Sequence, residues 1–240
     1  MYFSHFPYVF YDVEKTGNVR PVTHILKRIA FRQKVKDRAN LFYTHYIEEG
    51  DTPEILSYKV YGHPEYHWVL LLLNERHNPY FDWPMSYQAF EAYLTTKYPG
   101  KVLYFGGDFA GHFTVGETVT GGTSNATGTV TKWLVNNRHL VVNVGSGTFQ
   151  DGEVITGGTS GTTRTIAGTV NYVDADHHWV APAGHDLAGK EVSVGFSPAP
   201  DKVTNRQYED NINETNRSIK LLKPQFLSAV VEEFQALLKD

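Results

Sequence analysis

His63, Glu65 and His67 stand in the stretch "HPEYH", two histidines four apart with a carboxylate between them. On a helix, residues four apart share a face, so two imidazoles at that spacing can hold zinc with a third ligand and a water. The zinc-protease pattern needs its glutamate directly after the first histidine. Here Pro64 takes that place, and Glu65 turns off the shared face. Pro64 also marks a helix start, which makes His63 an entry residue rather than a ligand. A second concentration, "DADHHWVAPAGHD" at 174–186, gathers Asp174, Asp176, His177, His178, His185 and Asp186. These types suit hard and borderline metals, but their spacing matches no ligand loop, and the stretch reads as a polar turn between strands. Two "TGGTS" turns lack the lysine of a phosphate-binding loop, and no G-x-S-x-G elbow occurs. The reading is of a chain with no catalytic residues, no metal and no cofactor, and so not an enzyme.

The bulk properties narrow the classes further. The chain has 240 residues with 41% apolar content, enough for one large or two small globular domains. A net charge of −4 argues against a coat for nucleic acid. With no cysteine, disulfides and thiolate metal sites are excluded. The N-terminus, "MYFSHFPYVFYDVEK", has no basic region and no cleavage site, so no signal peptide is expected. The apolar run from Trp68 to Leu73 is far shorter than a membrane span, and no membrane association is expected.

The elements that would position these residues fall into three regions. Residues 1–100 begin with an aromatic arm, Tyr2, Phe3, Phe6, Tyr8, Phe10 and Tyr11, whose Pro7 and "KTGN" suggest extended chain and a turn. Ile25, Leu26, Ile29 and Ala30 have partly helical spacing. Arg20, Lys27, Arg28, Arg32, Lys34, Lys36 and Arg38 form a basic run that is either a solvated face or a patch for an acidic partner. Phe42, Tyr43, Tyr46 and Ile47 are strand formers. Asp51 or Thr52 can cap a helix that ends at Gly62; Pro64 starts a second, ending at Asn74; Ser86 can cap a third over 87–98.

Residues 101–200 hold an internal repeat, and 14 of the 21 glycines lie between Gly106 and Gly168. "FTVGETVTGGTSNATGTV" (113–130) matches "FQDGEVITGGTSGTTRTI" (149–166) at an offset of 36 residues. Each copy reads as a hairpin; "HLVVNV" (139–144) and "GTVNYV" (168–173) add strands, giving a small antiparallel β domain. Residues 201–240 read as helical, with "NINETNRSIKLL" (211–222) as one helix. A second carries an amphipathic stripe through Phe226, Val230 and Phe234.

The segment "YIEEGDTPEILSYKVYGHPEYHWVLLLLN" (46–74) resembles a LysM module through Gly50, Asp51, Thr52, Tyr61, Gly62, Trp68 and Asn74. The sequence that follows, "ERHNPYFDWPMSYQAFEAYLTTKY" (75–98), departs from carbohydrate-binding LysM modules. Together with "THILKRI" (23–29) and "NETNRSIKLLKPQFL" (213–227), it is similar to the baseplate wedge protein of T4-like contractile phage tails, the gene-product-fifty-three family. The expected fold is α+β: the resemblance implies a LysM-like β-α-α core with flanking helices, and the small antiparallel β domain read at 101–200 is not explained by it and stands as an insertion. It also implies a structural part of the virion, assembled in the host cytoplasm. Such a part joins neighbouring wedges around the central hub, in six copies, through other wedge and hub proteins. A LysM-type peptidoglycan-binding protein is the alternative. The contact residues expected are Tyr2, Phe3, Phe6 and Tyr8 on the arm, with Phe226, Val230 and Phe234 on the last helix. Aromatic side chains are favoured at interfaces, but the helical stripe serves an intramolecular surface equally well.

Overall fold

The computed structural model describes residues 2–27, 30, 38–107, 111–193 and 195–239. In chain order the elements are β1 (Tyr8–Tyr11), β2 (Arg20–Thr23), β3 (Phe42–Tyr46), α1 (Pro53–Tyr61), α2 (His67–Leu73), α3 (Pro79–Asp82) and α4 (Tyr87–Lys97). Then come β4 (Lys101–Phe105), β5 (Thr118–Gly121), β6 (Thr127–Leu134), β7 (His139–Ser146), β8 (Val154–Gly157) and β9 (Thr163–Asn171). The chain ends with β10 (Asp176–Val180), β11 (Glu191–Val192), β12 (Asp201–Thr204), α5 (Asn205–Arg217), β13 (Ser218–Leu222) and α6 (Leu227–Lys239). It divides into two compact units, residues 1–87 with 213–240, and residues 88–212.

The expected α+β fold with a LysM-like β-α-α core is corrected here. The protein is mostly β, its largest construction is a closed six-stranded barrel, and its helices are short. Strand β3 finds its sheet partner not in a local unit but in β13, more than 170 residues later, with Tyr46 opposite Ser218 and Phe42 opposite Leu222. The expected helix over 211–222 stops at Arg217 for this reason. "SIKLL" becomes β13, whose Ile219, Leu221 and Leu222 are buried. The expected polar turn at 174–186 likewise contains a strand, β10, in a three-stranded sheet ordered β11-β10-β12.

In the first unit, Thr52 caps α1 by accepting from the Ile55 amide at 3.3 Å, and Gly62 ends it at φ +73°. Helix α2 is covered on two sides. Trp68, Val69 and Leu73 join Phe6, Phe42, Leu222, Val230, Phe234 and Leu238 in one cluster. Leu70 joins Ile47, Leu56, Trp83, Ile219 and Leu221 in another. Each such side chain contributes about 1.5–3 kcal/mol on burial. Asn74 ties the exit of α2 to β13: its amide donates to the carbonyls of Leu70 and Lys220 at 2.9 Å, and its Oδ1 accepts from the Lys220 amide at 2.8 Å.

In the second unit, the barrel closes in the order β4-β7-β6-β5-β8-β9. Leu103, Val119, Leu140, Val142, Ile155 and Ile166 point inward and are buried, as a six-stranded barrel requires of side chains that fill it. Thr118, Thr120 and Thr156 alternate outward. The 36-residue repeat is larger than the sequence match: it relates β4-β5-β6 to β7-β8-β9. Thr120 pairs with its own equivalent, Thr156, and the flanking pairs Val119–Gly157 and Gly121–Ile155 exchange under the offset. On the opposite seam, Leu103–Leu140 and Tyr104–His139 exchange in the same way. The barrel therefore has an internal two-fold relation.

Against the barrel's own unit, Glu209 of α5 is buried and accepts from Lys97 (2.7 Å), Tyr98 (2.6 Å) and Tyr93 (3.0 Å). Burial pushes its carboxyl up, but these donors outweigh it and hold the group below the usual range. Among the described residues, no helix is long and apolar enough to cross a membrane.

Candidate interaction surface

Strands β1 and β2 form a two-stranded hairpin with Tyr8 opposite Thr23, Val9 opposite Val22, Phe10 opposite Pro21 and Tyr11 opposite Arg20. Its turn is held by Asp12, whose carboxylate accepts from the amides of Thr16 (3.1 Å) and Gly17 (2.6 Å). Alternation puts Tyr8 and Phe10 on one face and Val9 and Tyr11 on the other. Both faces are open: Tyr8 is 75% exposed, Phe10 72% and Tyr11 58%. Val13, Val19, Ile25 and Leu26 extend the exposed apolar surface beyond the strands. Monomeric proteins rarely leave such a contiguous patch uncovered, and a lone hairpin is marginally stable in water.

The arm is nevertheless anchored at both ends. Before β1, Phe6 is buried with its ring centroid 6.4 Å from that of Phe234, and Gln235 meets His5 at 3.3 Å. After β2, the Lys27 ammonium donates to the carbonyl of Leu238 at 2.7 Å, capping the end of α6 where the helix dipole is negative. The hairpin is thus held to the first unit through its flanks while its faces stay open.

The structure separates the residues expected at contacts. Phe3 and Tyr8 are exposed. Phe6, Val230 and Phe234 are buried in the core of the first unit, where Phe234 also packs on Trp68 with centroids 4.3 Å apart. Phe226 is half-buried against the same cluster. Tyr2 lies in the turn Tyr2–His5 ahead of the hairpin. Of the basic run, Arg28, Arg32, Lys34 and Lys36 lie outside the described residues, as does Ile29. Phe10, Tyr11 and Leu26 are the contact candidates that the sequence reading passed over. The signal was there: "YVFY" and "RPVT" flank a turn, and a hairpin reading would have put aromatics on both faces.

The remaining singled-out residues have positional work. Gly50 turns the chain at φ +87°. Asp51 pairs with Lys59 at 2.7 Å and accepts the Trp83 indole on its carbonyl at 2.7 Å. The Tyr61 hydroxyl donates to the Leu222 carbonyl at 3.1 Å, and burial pushes that phenol well above its ordinary value. His63 accepts from the Glu65 amide and His67 contacts the Pro64 carbonyl at 3.0 Å, so both rings serve their own turn. The 174–186 group is dispersed: Asp176 meets Lys202, Asp174 meets Arg206, and His177 stacks on Tyr208 at 3.9 Å. Among the described residues, no three such side chains converge on a metal position.

Residues 1–118 match the family model described as "Base plate wedge protein 53". The match covers just under half of the chain and makes that part similar to the family. A stretch of 88 residues, 37% of this chain and 45% of the relative, is 31% identical to the "Baseplate wedge protein gp53" of Enterobacteria phage T4. The chain thus spans less than half the length of the curated relative it matches. The family match takes in the arm, α1, α2 and their connections, and stops at the first residue of β5. Most of the barrel, and the C-terminal β13 and α6 that complete the core of the first unit, lie beyond it.

Proposed function

We propose that this protein is a structural subunit of a phage tail baseplate wedge, located in the virion and assembled in the host cytoplasm. In this reading it joins neighbouring wedges around the central hub, in six copies, through contacts with other wedge and hub proteins, and its work is scaffolding rather than chemistry. The observation that carries the reading is the family match over residues 1–118, which contains the anchored hairpin with two exposed apolar faces. Phe3, Tyr8, Phe10 and Tyr11 are its contact residues; large rings with one polar edge supply much of the energy at protein interfaces. The test is co-elution with the other baseplate subunits, for the unaltered chain and for Phe10→Asp. Capture of the unaltered chain and loss of capture for the variant, with folding unchanged, supports the reading. A monomer indifferent to every wedge partner contradicts it.

A further inference from the structure

The "TGGTS" turns of the two barrel halves are each filled by a carboxylate, and in each case it comes from the other half. Glu117, in the first half, accepts from the amides of Thr159 (3.0 Å) and Ser160 (2.8 Å) and from the Ser160 hydroxyl (2.9 Å). Glu153, in the second half, accepts from the amides of Thr123 (3.3 Å) and Ser124 (2.9 Å) and from the Ser124 hydroxyl (2.9 Å). Each also accepts from an amide of its own loop, Thr114 at 2.6 Å and Gln150 at 2.7 Å. Every residue of one set is the other's equivalent at the offset of 36, and both glutamates are only 4% exposed. Successive amides turned inward make an anion nest.

This accounts for the serine and the first glycine shared by both copies. Serine supplies the hydroxyl. The first glycine leaves room for the carboxylate: a Cβ on Gly121 would lie 2.6 Å from Glu153 Oε2, and one on Gly157 would lie 2.7 Å from Glu117 Oε2. The strands between are four residues long. Glu117 immediately precedes β5, and the turn held by Glu153 follows it; Glu153 precedes β8, and the turn held by Glu117 follows it. Each short strand therefore carries a carboxylate at one end and a receptor at the other. The four-residue strand between is the direct covalent link by which release of its receptor end could reach its carboxylate end.

We infer that Glu117 and Glu153 form a crossed latch, in which each half of the barrel supplies the carboxylate that holds shut the turn of the other, so that the two turns open together and acid opens both. Burial alone would push these carboxyls up. The hydrogen bonds, from Ser160, Thr114 and Thr159 on Glu117 and from Ser124, Gln150 and Thr123 on Glu153, outweigh it and hold both below the ordinary carboxylate range. The donors facing both groups are neutral. A depressed carboxyl contributes stability that is present at neutral pH and lost as the pH falls through its folded value.

Amide hydrogen exchange on the full chain tests the latch. Glu117→Gln places an NH2 against N–H donors, so the amides of Thr159 and Ser160 exchange at least about tenfold faster, the change expected when hydrogen bonds to a charged acceptor are lost. Those of Thr123 and Ser124 accelerate with them, and Glu153→Gln gives the mirror result. Acceleration at the opposite turn alone, with the other turn unchanged, makes these two independent caps and overturns the latch; acceleration at Thr114 alone does the same. If the glutamine variants do not fold, Ser160→Ala keeps the carboxylate and is expected to accelerate the amides of Thr159 and Ser124 several-fold, with Thr159 alone as the contrary result. In the unaltered chain, the amide shifts of Ser124 and Ser160 follow one acid midpoint; two separate midpoints contradict coupling.

Discussion

The N-terminal hairpin and the barrel are both antiparallel β structure built from β-branched and aromatic residues, yet they treat their surfaces in opposite ways. The barrel pairs every strand on both sides, turns Val119, Leu140 and Ile155 inward and shows threonines to water. The hairpin pairs two strands only and shows Tyr8, Phe10 and Tyr11 to water on two faces. Strand propensity is the same in both, so propensity does not separate them. What separates them is where the partners are: the barrel's lie within its own sequence, and the hairpin's, on the proposed function, lie in other subunits.

That contrast can be broken by stability measurements. The largest effect is expected in the barrel. Leu140 is fully buried, and Leu140→Ala should cost about 2–5 kcal/mol in urea unfolding, whereas Phe10→Ala should stay within about 0.5 kcal/mol. Comparable losses at both positions would erase the distinction. Next is acid. His139 is buried beneath the Tyr104 ring at 4.5 Å, and its Nδ1 has no partner among the described residues. Burial pushes its pKa down to about 4, with Asp176 pulling up and Lys202 down. The unfolded chain takes up this proton first, so stability should fall by on the order of 3 kcal/mol as the pH drops from about 6.5 to 4. His139→Phe should flatten that window. The smallest of the expected losses is at Thr52: Thr52→Ala removes the cap of α1 and should cost about 1 kcal/mol, read by urea midpoint, still above the near-neutral Phe10→Ala.

The parts legible in sequence were those set by neighbours. Thr52 and Gly62 bound α1 because caps act within one turn. The 36-residue repeat was visible because both turns receive the same ligand. Closure was not visible: β4 must pair with β7 and β9 at once, and no local pattern in "KVLYF" says so. "SIKLL" read as the tail of a helix because its strand partner is β3, far away in sequence. The stripe of Phe226, Val230 and Phe234 gave a face without an owner, and the structure gives it to Trp68 and Phe6. The LysM-like reading followed the order strand, helix, helix and could not see that the largest construction is a closed β-barrel. On the hairpin, the arm's aromatics were legible and its second exposed face was not.

The central claim of the proposed function is that the hairpin's partners lie in other baseplate subunits. Hydrogen exchange over residues 8–11 and 20–23, measured on the chain by itself and again after assembly with those subunits, tests it most directly. The expected result is fast exchange in the isolated chain and strong protection after assembly, with barrel strands β5 and β8 equally protected in both. Unchanged exchange of the hairpin after assembly, or full protection before it, would contradict the account.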